Sequence, residues 1–193
     1  MAAGQGRRLG RPKALCRVGK NFFLELLAQA LQRGGCQPLL AVIRPELAPR
    51  LEPICRRCGI RLLINTRPER GQISSLRLAL ETLGEADGAL VVLVDQGRLS
   101  VRTIMRVRRA LIWSEAAVAA FRRRPGHPLA FRRSLFGDFF GRRADGGAHH
   151  IVEKLAQAGR LELIDTRDPG VVRNINTPAE LRSFLRANYS TRR

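Results

Sequence analysis

The stretch GALVVLVDQ, residues 88–96, holds the most apolar run of the chain, and that run meets an acid at Asp95. An uninterrupted apolar run of strand length reads as a strand buried on both faces, as happens where helices cover a sheet from both sides. Helical patterns flank it. Upstream, GQISSLRLALETLG predicts a helix starting just after Gly71, and downstream Ser100 is the expected N-cap of a helix through VRTIMRVRRAL. Further out, PLLAVI (38–43), IRLLIN (60–65) and AAVAAF (116–121) read as strands, with NFFLELLAQALQRGG and PELAPRLEPICRRCG as helices. Strand and helix alternate, which predicts one α/β domain over residues 1–193 with a mostly parallel sheet. In the second half, HPLAF, RLELID and VVRNI read as strands, RRSLFGDFF as a short helix and GAHHIVEKLAQAG as a longer one. Thr177, Pro178 and Glu180 form a capping box that starts the last helix.

Composition excludes more than it selects. No apolar run is long enough to span a bilayer and the amino end lacks a signal peptide's apolar core, so a cytoplasmic protein with no membrane role is expected. The net charge is +19, and all but three of the 35 basic residues are arginine, spread along the chain. Such a charge attracts polyanions, but aromatic residues make up only 5%, too few for a base-stacking platform, so nucleic acid is not the expected partner. Cys55 and Cys58 form a CxxC at the end of a helix, without the second pair a zinc site wants. Ordinary reduced thiols are expected at all four cysteines.

Ligands of parallel sheets bind at the carboxyl ends of strands, and three features fall there. MAAGQGRRLGRPK, residues 1–13, is a glycine-rich cationic loop in which Gly4 and Gly6 let backbone N–H groups approach an anion while Arg8 and Lys13 add charge. Asp95 follows an apolar strand, where a carboxylate is expected to be paired or to hold a cation. NIN offers the amide oxygens of Asn174 and Asn176. Each also has a plain structural reading: an ordinary loop, the N-cap of the next helix, and a turn before a capping box.

Together these stretches resemble the MobA-like nucleotidyltransferases, especially the molybdenum cofactor cytidylyltransferase branch, over almost the whole chain. The family pattern LAAGxGxRMGxPK is matched by MAAGQGRRLGRPK, its PERGQ.SSL stretch by NTRPERGQISSL, its VDQP by VDQG, and its GHP by GHPLAF; DGGA and NINTPAEL follow in order. The resemblance implies a Rossmann-like three-layer fold of the nucleotide-diphospho-sugar-transferase type. It also implies transfer of a nucleoside monophosphate from an NTP to a phosphorylated pterin-type acceptor, with release of pyrophosphate. By the same resemblance, Ala3, Gly4, Gly6, Arg8 and Lys13 hold the triphosphate, and Arg70, Gly71, Ser74 and Ser75 lie near the nucleoside. Asp95 and Asn176 bind Mg²⁺, and Gly126 and His127 line the acceptor side. The AAG of the first loop is the cytidylyl form, which favours CTP over GTP, and a molybdoenzyme is an implied partner.

The chain departs from the family at instructive places. Asn176 stands where the family has a second metal-binding Asp, Gly97 replaces a proline, and Arg98 an apolar residue. These changes keep open a second reading, a non-catalytic nucleotide-binding or maturation-partner protein with a decayed metal site. Met1 stands where the family has the leucine that ends its first strand. The expectation is therefore a domain lacking that strand, with a natural chain that starts upstream and supplies about five to eight apolar residues.

Overall fold

The computed structural model describes residues 7–140 and 147–189. In chain order its elements are β1 (Arg17–Val18), β2 (Asn21–Phe22), α1 (Phe23–Arg33), β3 (Leu39–Ile43), α2 (Ala48–Arg57), β4 (Ile60–Ile64), α3 (Gln72–Leu83) and β5 (Gly88–Val91). There follow α4 (Val101–Ala110), β6 (Ala116–Phe121), β7 (Arg124–Arg132), α5 (Gly147–Gln157), β8 (Leu161–Thr166) and α6 (Pro178–Tyr189). β3 and β4 form a parallel pair, and β5-β7-β6-β8 form a four-stranded sheet.

β6 explains why that sheet is covered twice. Its residues alternate: Ala116 and Val118 pack with Leu76 and Leu80 of α3, Phe131, Phe139, and Ile151 and Leu155 of α5. Ala117 and Ala119 pack on the other face with Val107 and Ala110 of α4, Ile164 and Val171. Small side chains on both faces let the helical layers approach closely, so a run that lacks polar alternation is satisfied only as an interior strand.

The sheet is mixed rather than mostly parallel. β8 runs parallel to β6, but β7 is antiparallel to both β5 and β6. The cause is a two-residue turn in which Arg122 and Arg123 both adopt left-handed backbone, at φ 50° and 61°. Such a turn closes a hairpin, and asparagine and glycine are its usual signature, which an Arg-Arg pair hides. The run 88–96 also differs from expectation. β5 ends at Val91, lies at an edge of its sheet, and gives way to a 3-10 turn at Val94–Gln96. VVRNI is not a strand: Pro169–Val172 form a 3-10 turn, fixed by the Asp168 carboxylate accepting from the Gly170 amide at 2.9 Å.

The helix starts are as patterned, with one exchange of cap. Thr177 and Glu180 form the expected box, the Thr177 amide donating to Glu180 Oε2 at 2.8 Å and the Glu180 amide to Thr177 Oγ1 at 3.2 Å. At α4 the Ser100 side chain does not cap; Asp168 does so from a distant turn, accepting from the Ser100 amide at 2.7 Å and from Thr103 Oγ1 at 3.1 Å. Among the described residues no helix is long and apolar enough to cross a membrane.

Candidate active site

Three turns far apart in sequence meet at one ammonium group. Lys13 opens the 3-10 turn Lys13–Leu15, Asp95 lies in the turn that ends the β5 segment, and Asn176 stands two residues before α6. Lys13 Nζ donates to Asp95 Oδ2 at 2.8 Å and to Asn176 Oδ1 at 2.6 Å. The lysine and aspartate side chains are only 15% and 17% exposed, so the pair sits where water screens it weakly. The backbone secures the arrangement, because the Ile175 amide donates to the Asp95 carbonyl at 2.8 Å. Asn176 is fixed in turn by Glu180, whose Oε2 accepts from its amide at 2.7 Å. That hydrogen bond is the leading cause holding the Glu180 carboxyl below the ordinary carboxylate range, and the charge of Arg8 adds to the effect. Arg8 is therefore within electrostatic reach of the start of α6.

One atom of this cluster is left over. Asp95 Oδ1 is buried and has no hydrogen-bond partner among the described residues. A buried carboxylate oxygen without a donor is costly unless a cation or a donor completes it. A charged carboxylate oxygen and a neutral amide oxygen are the donor types a hard divalent cation takes. The site is lean, since no group of three or more His, Cys, Asp or Glu converges anywhere among the described residues.

Gln96, which sequence reasoning passed over, is the organiser beneath Asp95. It is 1% exposed, and its Nε2 donates at 3.1 Å to the carbonyls of His127, Gly170 and Val171 while its Oε1 accepts from the Leu93 amide at 3.2 Å. One side chain thus ties the Asp95 turn to the GHP segment and to the turn below it. Gly126 permits that crossing, because a β-carbon there would collide with the Val171 carbonyl. His127 is largely withdrawn from solvent, and burial pushes its imidazole down to about 4 against the pull of the Asp95 charge. It is neutral at physiological pH. Gly97 has φ +69°, which proline cannot adopt, so the departure from the family pattern reflects a different local backbone.

The second group of expected residues forms its own turn. Asn65, 5% exposed, donates to Ser74 Oγ and Ser75 Oγ, each at 2.9 Å, and accepts from the Arg67 amide at 2.9 Å. Ser74 Oγ also donates toward the Gly71 carbonyl at 2.8 Å. Ser75 is buried, so its hydroxyl shapes the loop from within, while Arg70 and Gly71 are exposed at the start of α3. Asn65 is a loop organiser: it opens the NTRPERGQISSL match and stands at a strand end, but it was given no role of its own. Ala3, Gly4 and Gly6 lie outside the described residues. Burial pushes all four thiols up, Cys55 to about 11, which leaves them poor nucleophiles and metal ligands at neutral pH.

Solved structures share this architecture. A nucleotidyl transferase from Methanothermobacter superposes with a TM-score of 0.81 at 22% identity, over 98% of this chain and 95% of that one. Rv0371c of Mycobacterium tuberculosis, solved as a manganese complex, gives 0.74 at 22% identity over 96% and 95%. The 4-diphosphocytidyl-2C-methyl-D-erythritol synthase of Anaerococcus prevotii gives 0.77 at 16% identity over 98% and 93%. No curated protein matches. The fold is thus the α/β fold of nucleotidyltransferases. The chain itself belongs to the MobA-like NTP transferase family, whose domain matches residues 1–159 and so includes Lys13 and Asp95 but stops short of Asn176.

Proposed function

We propose that the protein transfers a nucleoside monophosphate, CMP in preference to GMP, from an NTP to a phosphorylated pterin-type acceptor and releases pyrophosphate. The observation that carries this reading is the meeting of Lys13, Asp95 and Asn176 around an unpartnered, buried carboxylate oxygen. The acceptor phosphate is already an anion, so the chemistry needs no general base. The task is to bring two polyanions together and to neutralise charge as the bond to pyrophosphate breaks. Lys13 supplies a cation that turns from its two protein partners to the triphosphate, and Arg8 adds a second from the same loop. Asp95 and Asn176 are the residues that would hold Mg²⁺, which when bound supplies charge neutralisation at the phosphate oxygens. A neutral His127 can position the acceptor by hydrogen bonding without adding charge. Arg70 and Gly71, exposed at the start of α3, are the proposed nucleoside contacts, and Ser74 and Ser75 keep their loop in shape.

The test is pyrophosphate release from each NTP in turn, with Mg²⁺ and a molybdopterin acceptor. Release is expected with CTP and to a lesser extent with GTP. A second reading, nucleotide binding without turnover, draws on the lack of any group of three metal-ligating side chains among the described residues and on a lysine already bonded to protein partners. Nucleotide binding with no pyrophosphate from any NTP would favour it.

A further inference from the structure

A groove of 690 Å³ lies where α1, the segment leading into α4 and the Pro169–Val172 turn come together. Three arginines line it: Arg33 from the last turn of α1, Arg98 ahead of α4, and Arg173 just after the turn. Lys13, Asp95, Asn176 and His127 do not line it, so it lies apart from the cluster described above. Among the described residues that line it the one acid is Asp168, and that carboxylate is already engaged. Its Oδ2 accepts from the Ser100 amide at 2.7 Å and from Thr103 Oγ1 at 3.1 Å, and its Oδ1 from the Gly170 amide at 2.9 Å. Among the described residues neither Arg33 nor Arg173 makes an ion pair or a side-chain hydrogen bond. Arg173 rests instead on the Phe184 ring, its guanidinium carbon 5.1 Å from the centroid, a contact that orients the fork while its N–H donors stay open.

A concave site of this volume takes a small molecule rather than a lone ion. Guanidinium forks pair two N–H donors with two oxygens of a phosphate, and two uncompensated arginines beside a third match a dianionic head better than a single carboxylate. Leu26, Leu99 and Pro169 form an apolar wall beside them, which a bare phosphate would leave in water. We propose that the groove binds an organic phosphate, its anionic oxygens paired with these arginines and its body on that wall, as a second ligand site beside the cluster of Lys13, Asp95 and Asn176.

Occupancy has a route to that cluster. Arg98 stands three residues after Asp95, and Arg173 three before Asn176. The two segments are already tied by the Ile175 amide, which donates to the Asp95 carbonyl at 2.8 Å, and by Gln96 Nε2, which donates to the Gly170 and Val171 carbonyls at 3.1 Å. A phosphate bridging Arg98 and Arg173 clamps the same segments once more and steadies the turns that bring Asp95 and Asn176 to Lys13. The binding does not depend on the nucleotidyl-transfer reading, because it draws on no residue of that reaction.

The probe is phenyl phosphate, with inorganic phosphate for comparison, titrated into the metal-free protein and followed by backbone amide shifts. The shifts are expected to centre on Ala30, Arg33, Leu99 and Gly170. Phenyl phosphate is expected to bind at least about tenfold tighter than inorganic phosphate, and at least about tenfold more weakly to Arg33→Ala/Arg173→Ala. Arg33→Ala alone, an exposed change at the end of α1, gives part of that loss without touching the core. Arg50→Ala/Arg61→Ala removes the same charge from exposed positions outside the groove and is expected to bind as the parent does, and Lys13→Ala is expected to keep the groove shifts. At saturation, solvent exchange of the Ile175 amide is expected to slow by about threefold or more in the parent and to stay unchanged in Arg33→Ala/Arg173→Ala. Shifts scattered over the arginine-rich surface, or an equal loss in Arg50→Ala/Arg61→Ala, overturn the proposal, because the net charge of +19 then accounts for the binding. Equal affinity for the two phosphates overturns the organic body, weakening by Lys13→Ala as great as by Arg33→Ala/Arg173→Ala overturns the separate site, and unchanged exchange at Ile175 overturns the clamp.

Discussion

Lys13 bonds one oxygen of Asp95 and the amide oxygen of Asn176 with a single ammonium group, and that sharing defines what substitution should do. Asp95→Ala removes the carboxylate that meets Lys13 and is expected to lower nucleotidyl transfer by at least about 1,000-fold, measured as pyrophosphate release, while Lys13→Ala lowers it by about 100-fold. Asn176→Asp restores a second negative charge and is expected to maintain or raise turnover, most visibly at low Mg²⁺. His127 gives a prediction in pH. Its imidazole titrates near 4 in the folded protein against an ordinary 6.5, so between these values the unfolded chain binds more protons than the folded one. The stability that comes from keeping it neutral is present in full above about pH 6.5 and is lost as the pH falls toward 4. Chemical denaturation at pH 7.5 and 4.5 checks this: the loss of stability between the two is expected to shrink in His127→Gln.

At the scale of elements the site is a junction of turns, and the junction is held by Gln96 and Gly126. Gln96→Leu fills the same space but strips the donor from three carbonyls, and is expected to cost about 3 kcal/mol in urea unfolding. Gly126→Ala drives a β-carbon into the Val171 carbonyl and is expected to cost about as much, on the order of 1–3 kcal/mol, while displacing His127. These contacts were the least legible part of the sequence. The helices announced themselves by an apolar stripe and a capping box, and Lys13, Asp95 and Asn176 stood out because charged or amide groups fell at strand ends. Gln96 fell inside the VDQG match, yet nothing in that match says what its side chain does; its role appears only when β7 and the Pro169–Val172 turn close around it. The antiparallel β7 was hidden for a related reason. Arg122 and Arg123 make a hairpin turn whose usual residues are absent, so an alternating strand-helix rhythm read as mostly parallel.

On the scale of the whole molecule, a net charge of +19 accompanies the proposed triphosphate site. Nucleotide association is accordingly expected to slow as ionic strength rises, measured by stopped-flow, with the steepest dependence at low salt. The same charge would attract any polyanion, so turnover alone separates a built triphosphate site from a basic surface less cleanly than binding with and without metal. The central claim is that Asp95, Lys13 and Asn176 form one metal-and-triphosphate site. It is tested most directly by calorimetric titration of CTP into the protein and into Asp95→Ala and Lys13→Ala, each with Mg²⁺ and with the metal removed by chelation. The expected result is metal-dependent binding in the parent chain that weakens at least tenfold in both folded variants. Equal CTP affinity in all three proteins, or affinity indifferent to the metal, would contradict it.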